Sequence, residues 1–155
     1  MIGAELFKID DIQVTFITPR GLLEAVRGVS FSIHEGEVTG IVGESGSGKS
    51  VTALSMLGLL PANGRITGGD VLYKGGSVLS YDQRTLRNFR GKEAGIIFQE
   101  PGRSFDPIYS IGKTMEEAIR AHNPQMREAD VRHKSVSLLS EVHIPRAEER
   151  LFNFP

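Results

Sequence analysis

The sequence predicts an α/β protein, in which an antiparallel β layer leads into a mixed core and a helical part follows from residue 106. Three observations carry this. Apolar residues alternate with polar ones in short segments over the first 35 positions. Eleven of the 18 glycines lie between Gly36 and Gly76 with apolar runs between them, a pattern of tight turns rather than of a disordered linker. Beyond Asp106 glycine becomes scarce and the apolar spacing turns helical.

In order along the chain, residues 6–16 read as a half-buried strand, with Ile12, Val14 and Phe16 on one side. A weaker strand is expected over 22–26, and Val29, Phe31 and Ile33 alternate again before a turn at His34-Glu35-Gly36-Glu37. The run VTGIV at 38–42 suits a strand buried on both faces. A glycine-rich loop follows, then a helix over 49–60. Its apolar face is Val51, Leu54 and Leu57, widened by Ala53, Met56 and Leu60, and Pro61, Asn63 and Gly64 end it. A short strand is expected over 70–73. Ser80 and Gln83 have capping-box spacing for a short helix to about Phe89, and AGIIF at 94–98 reads as a second buried strand. Helices are expected over 111–122, 126–142 and 145–151, the first two parted by Asn123-Pro124, the last opened by Pro145. The expected division is a core over 1–105 and a helical part over 106–155.

Composition narrows the function. The chain has 155 residues, a length for one domain, and can bury roughly 70% of its unfolded surface. With 18 Lys+Arg against 19 Asp+Glu, it lacks the basic excess that general nucleic-acid or anionic-membrane binding needs. No cysteine is present, which excludes a disulfide framework, thiolate metal ligands and a cysteine nucleophile. The longest mostly apolar stretch, 53–60, falls far short of the roughly 20 residues of a membrane span. The first residues, MIGAELFKIDD, carry acids and no apolar core of a secretory signal, so a cytosolic chain without membrane insertion is expected.

The chemistry concentrates at Gly43-Glu44-Ser45-Gly46-Ser47-Gly48-Lys49-Ser50, a full match to G-x-x-x-x-G-K-[ST] between an expected strand and an expected helix. Glycines let successive N–H groups turn inward to cradle phosphate oxygens. The first helical turn, through Lys49, Ser50 and Val51, adds its positive dipole end and unpaired N–H groups. Lys49 supplies a mobile positive charge for β- and γ-phosphates, and the Ser50 hydroxyl suits Mg²⁺, which prefers oxygen. Phosphate binding by residues 43–51 is therefore the expectation. A glycine turn with a solvated lysine is the bland alternative.

GESGSGKS after SFSIHEGE, with IIFQEP about fifty residues later, resembles the nucleotide-binding subunits of ABC transporters. The run IIFQEPGRSFDPIYSIG resembles most the branch that imports peptides or nickel, the dipeptide and oligopeptide permease ATPases. The resemblance covers the whole chain. It implies an incomplete P-loop NTPase core with an antiparallel β layer and a following helical subdomain, and it implies ATP and Mg²⁺ as cofactors. Carried over by position, the phosphate loop falls on Gly43 to Ser50. The Q-loop glutamine falls on Gln99, whose amide oxygen can face Mg²⁺ and the attacking water. The adenine-stacking aromatic falls on Phe16, for which a plain core role is the equal alternative.

The resemblance also implies partners: transmembrane permease subunits and a second nucleotide-binding subunit, identical or related, with the chain peripheral on the inner face of the cell membrane. Phe105, Tyr109 and Met115 resemble the surface that receives a permease helix, or else pack the helical part. This sequence has no LSGGQ-like signature and no four apolar residues followed by Asp-Glu. The expectation is thus the front part of a longer ATPase, one that binds nucleotide without efficient hydrolysis and leaves an apolar edge beside VTGIV and AGIIF. A small P-loop kinase or GTPase and a non-hydrolysing nucleotide-responsive module are the competing readings. His143 is not taken as a switch histidine. Arg84, Arg87, Arg90 and Lys92 are expected to form a solvated helix face.

Overall fold

Alternation in the first part of the chain produces two long strands, β1 (Glu5–Thr18) and β2 (Gly21–His34), joined by a tight turn in which Thr18 Oγ1 donates to Gly21 O at 2.7 Å. The computed structural model describes residues 3–155. They divide into two units, parted between Gly95 and Ile96. In the first unit, β1, β2, β3 (Gly64–Tyr73) and the two-residue β4 (Gly76–Ser77) form one antiparallel sheet in the order β2-β1-β3-β4. The two segments expected over 22–26 and 29–33 are one continuous strand, and the strand expected over 70–73 begins at Gly64. Pairing with β1 along its full length carries both through residues that would not alternate on their own.

Central strand β1 supplies the core. Ile9, Ile12 and Val14 are at most 1% exposed, packed with Val71 and Val26. Ile9 and Ile12 are three apart, an odd spacing that would send them to opposite faces of a regular strand. The ladder shifts register between them, with Asp11 at φ 49° and its N–H bonded to Ser30 Oγ at 2.8 Å. This β-bulge absorbs the extra residue and returns both isoleucines to the core. At the other end, Phe7, Tyr73, Phe89 and Tyr81 form a chain of ring contacts, tilted from Phe7 to Tyr73 and from Tyr73 to Phe89 and edge to face between Phe89 and Tyr81, with ring centroids 4.9 to 5.9 Å apart between neighbours.

After β4 the chain enters helix α2 (Gln83–Asn88) and a π turn, Phe89–Glu93. Asp82, rather than Ser80, caps α2 by accepting from Thr85 N at 2.7 Å; Ser80 Oγ donates back to Ser77 O instead. Tyr73 Oη and Lys74 Nζ both donate to Glu93 Oε2, at 2.7 and 3.0 Å, and tie the π turn to β3. These two bonds, Tyr73 first, hold the Glu93 carboxyl below its usual value of 4.5. Burial, together with the Glu93 contact, raises the Tyr73 phenol.

The second unit is helical: α3 (Ile111–His122), α4 (Glu128–Glu141) and α5 (Ala147–Arg150). Val131, Ser135 and Leu139 recur every four residues on the buried side of α4, and Leu139, Ala147 and Leu151 form a small core with Met115 and Val136. The N–H groups of Ile111 and Gly112, which no helix bond can use, donate to Asn153 O and Leu151 O at 2.9 and 2.8 Å. His143, exposed at φ 59°, closes α4, its N–H on Ser140 O and that of Ile144 on Leu139 O.

The two expected core strands do not form. Residues 38–42 and 94–98 belong to no strand, and Val38, Val42 and Ile97 are 98%, 92% and 93% exposed. Among the described residues no strand lies beside either segment. A ladder needs a neighbour to take its N–H and C=O groups, and an apolar run alone supplies none.

Candidate phosphate-binding site

Residues 43–48 bridge the irregular segment 38–42 and helix α1 (Lys49–Met56). The approach is anchored by Glu37, which accepts from His34 N at 2.9 Å and His34 Nδ1 at 3.1 Å. Those bonds, the backbone one foremost, lower the Glu37 pKa. The loop turns with Ser47 N on Glu44 O at 3.2 Å, and the helical ladder opens with Thr52 N on Gly48 O at 2.8 Å.

Gly48 is the N-cap, at φ 91°, and no side chain caps the helix. A Cβ there would lie 2.7 Å from Ala25 O and 3.2 Å from Val26 Cγ2 on β2, so only glycine lets the loop rest on the sheet. The first turn of α1 contains no acidic residue, leaving the positive end of the helix dipole unopposed. Lys49 folds back across the loop. Its Nζ donates to Gly43 O at 2.9 Å, Glu44 O at 2.7 Å and, more weakly, Ser47 Oγ at 3.4 Å. The ammonium thus stands over the backbone of the same loop whose amides would meet a phosphate, on neutral acceptors that an anion can outbid. Ser50 is exposed, and Val51 completes the first turn.

Helix α1 stops four residues short of the expected end. Gly58, at φ 61°, directs its N–H to Ser55 O at 3.0 Å, and Leu59 N–H reaches Leu54 O at 2.8 Å, a Schellman stop ahead of Pro61. The face against the sheet is polar: Thr52 and Ser55 are buried, and their hydroxyls bond back to Gly48 O and Val51 O. Val51 and Leu54 are half-buried rather than core residues. Arg90 is also not a solvated residue. It is half-buried, with Nε on Leu57 O at 2.8 Å and Nη2 on Gly58 O. Gly58 could have been read as a helix stop from its residue type; no sequence signal marks Arg90.

The structure therefore gathers Gly43, Glu44, Ser45, Gly46, Ser47, Gly48, Lys49, Ser50 and Val51 into one loop-and-turn. Phe16 stands in the same unit on β1, half-buried, paired with Leu23 and Gly64, its ring edge over Gly64. Gln99 lies in the second unit, exposed, in a bend after 94–98.

A loop that matches G-x-x-x-x-G-K-[ST], closes on its own lysine and opens a helix defines the phosphate-loop class of nucleotide-binding proteins. The family model described as ABC transporter matches residues 26–152, and the chain belongs to that family. It is 37% identical over 155 residues to the dipeptide transport ATP-binding protein DppD of Lactococcus lactis, covering all of this chain and 44% of that protein. It is 40% identical over 150 residues to the oligopeptide transport ATP-binding protein OppD of Escherichia coli K12, covering 97% of this chain and 44% of that one. The chain thus spans a little under half the length of these curated relatives. Among solved structures, it superposes on a dimeric, post-hydrolysis state of the ATP-binding cassette MJ0796 bound to ADP and Pi with a TM-score of 0.79 at 22% identity. That match covers 97% of this chain and 62% of the other, and shows an ABC cassette fold.

Proposed function

We propose that the chain is the ATP-binding portion of an ATPase that powers import of peptides or a related solute, with residues 43–51 as its phosphate cradle. The observation that carries this is Lys49 standing over the loop backbone, in a chain of the ABC transporter family whose relatives are named for dipeptide and oligopeptide transport. The core of this reading runs over 1–105 and the helical part over 106–155. Its partners are permease subunits and a second nucleotide-binding subunit, and its place is the cytoplasmic face of the membrane. Among the described residues no helix is long and apolar enough to cross a membrane.

The donor set fits Mg·ATP. Lys49 offers three N–H donors to phosphate, and the N-terminal end of α1 offers amides and no acidic residue. Among the described residues no group of three His, Cys, Asp or Glu converges as a metal cage. Mg²⁺ would be held by the Ser50 hydroxyl along with phosphate oxygens and water, in keeping with its habit of retaining waters. The bound ion would neutralise charge on the β- and γ-phosphates. Phe16 offers a ring face for the base. The sequence holds no four-apolar-Asp-Glu run to orient an attacking water, so binding without efficient turnover is the expected behaviour. Turnover that requires both Lys49 and Mg²⁺ would overturn that last point.

Titration calorimetry of the chain with Mg·ATP, beside Lys49→Ala, tests the cradle. Loss of the lysine should weaken binding at least about tenfold, or ~1.4 kcal/mol. Equal affinities would refute the assignment.

A further inference from the structure

Helix α1 carries the phosphate loop at one end, and a residue 33 positions further along the chain holds the other. The helix has eight residues and is about 12 Å long, short enough that its two ends decide its tilt. The face it lays on the sheet is small and polar: Thr52 and Ser55 spend their hydroxyls on the helix's own carbonyls, and neither inserts an apolar knob. The N-terminal end is fixed by Gly48 against Ala25 and Val26. At the C-terminal end the Schellman bonds occupy Leu54 O and Ser55 O, and the carbonyls of the cap residue Leu57 and of Gly58 after it face another part of the chain. Arg90 takes both, Nε on Leu57 O and Nη2 on Gly58 O. A guanidinium fork fixes direction as well as distance, and its charge sits at the negative end of the helix dipole. Gly58 leaves room for it, since a Cβ there would lie 3.1 Å from Arg90 Nη2.

We infer that Arg90 is a positioning residue for nucleotide phosphate binding: it sets the tilt of α1 and so the place of Gly48 and Lys49. It also joins that helix to the π turn Phe89–Glu93, which runs into segment 94–98. This rests on the reading of residues 43–51 as a phosphate cradle.

The test uses the full 155-residue chain, with Arg90→Gln and Arg90→Lys, Lys49→Ala as the reference, and Arg87→Gln as a charge-matched control on the exposed side of α2. Two quantities are read: Mg·ATP affinity, and the backbone amide resonances of Gly46, Gly48 and Lys49 without nucleotide. Arg90→Gln should weaken binding about tenfold, the scale of a lost charged hydrogen-bond pair, and shift those amides. Arg90→Lys should recover part of both, and Arg87→Gln should change neither. Parental affinity and unshifted loop amides in Arg90→Gln, even with a lower melting temperature, would overturn the inference while Lys49→Ala still supports the cradle. If Arg90→Gln fails to fold, Arg90→Lys decides by the same two readings. If the parent binds no nucleotide, the cradle reading fails, and the loop amides alone decide whether Arg90 governs the loop.

Discussion

Gly48→Ala puts a methyl where the loop meets the sheet, and two separate costs can be worked from the geometry. At φ 91° the residue occupies the left-handed region, which costs an L-residue about 1–2 kcal/mol. The added Cβ would also lie 2.7 Å from Ala25 O, a backbone atom of β2. That strand is held along its length by β1, with Val26 paired to Val14, so the carbonyl cannot retreat without disturbing the ladder. Overpacking of this kind costs about 1–3 kcal/mol more. Gly46→Ala is the matched control, because Gly46 has φ 82° but nothing within 4 Å of an added Cβ. For a chain of this size, ~2–4 °C per kcal/mol translates the costs into a fall of roughly 4–20 °C for Gly48→Ala and roughly 2–8 °C for Gly46→Ala. Thermal unfolding followed by far-UV circular dichroism reads both, and Mg·ATP titration should show the larger loss in Gly48→Ala. Melting temperatures within about 1 °C of each other for the two variants would refute the reasoning, since the clash with β2 would then cost nothing.

Two further predictions concern neighbouring features. Phe16→Ala should weaken ATP binding by about 1–3 kcal/mol, the usual worth of a base stacked on an aromatic ring, and should weaken GTP binding comparably. A fall in melting temperature with unchanged nucleotide affinity would show that the ring serves only to cover Gly64. Acid should destabilise the first unit through Asp82 and Glu93. Asp82 is held below its usual 3.8 by its bonds with Thr85, and Glu93 below 4.5 by Tyr73 and then Lys74. Because both folded values are depressed, their contribution is full above the unfolded values and is lost as pH falls through the folded ones. Denaturant melts from about pH 7 to 3 should therefore lose midpoint only below about pH 5, and Asp82→Ala should show a shallower acid slope than the parent. An acid slope equal in both would refute the role given to Asp82.

Much of the site was legible because its chemistry is contiguous. The residues from Gly43 to Ser50 carry their own dihedral permissions, donor groups and charge, and no distant residue is needed to recognise them. The bulge at Asp11 was not read from the alternation of Ile12, Val14 and Phe16, although the odd spacing of Ile9 and Ile12 carried a signal for it, whereas α3 begins and ends where its periodicity and Asn123 indicated. The Ser80 cap was misread because Asp82, two residues later, offers a carboxylate with the right reach to Thr85 N. Short-range signals compete, and the better acceptor prevails.

By itself the sequence determined the G-x-x-x-x-G-K-[ST] motif, the alternation of the central strand β1, the helix α3 and the kinship with ABC transporter ATPases. The tertiary structure decided which apolar runs become strands. VTGIV and AGIIF have the composition of buried strands, yet neither is paired, because a strand exists only where another strand accepts its hydrogen bonds. It also decided how the phosphate helix is held. Ala25, against which Gly48 lies, and Arg90, which takes the carbonyls of Leu57 and Gly58, are brought there by the folded chain from positions 23 and 33 residues away. Contacts of that range depend on the sheet and the π turn being in place, and no local pattern encodes them.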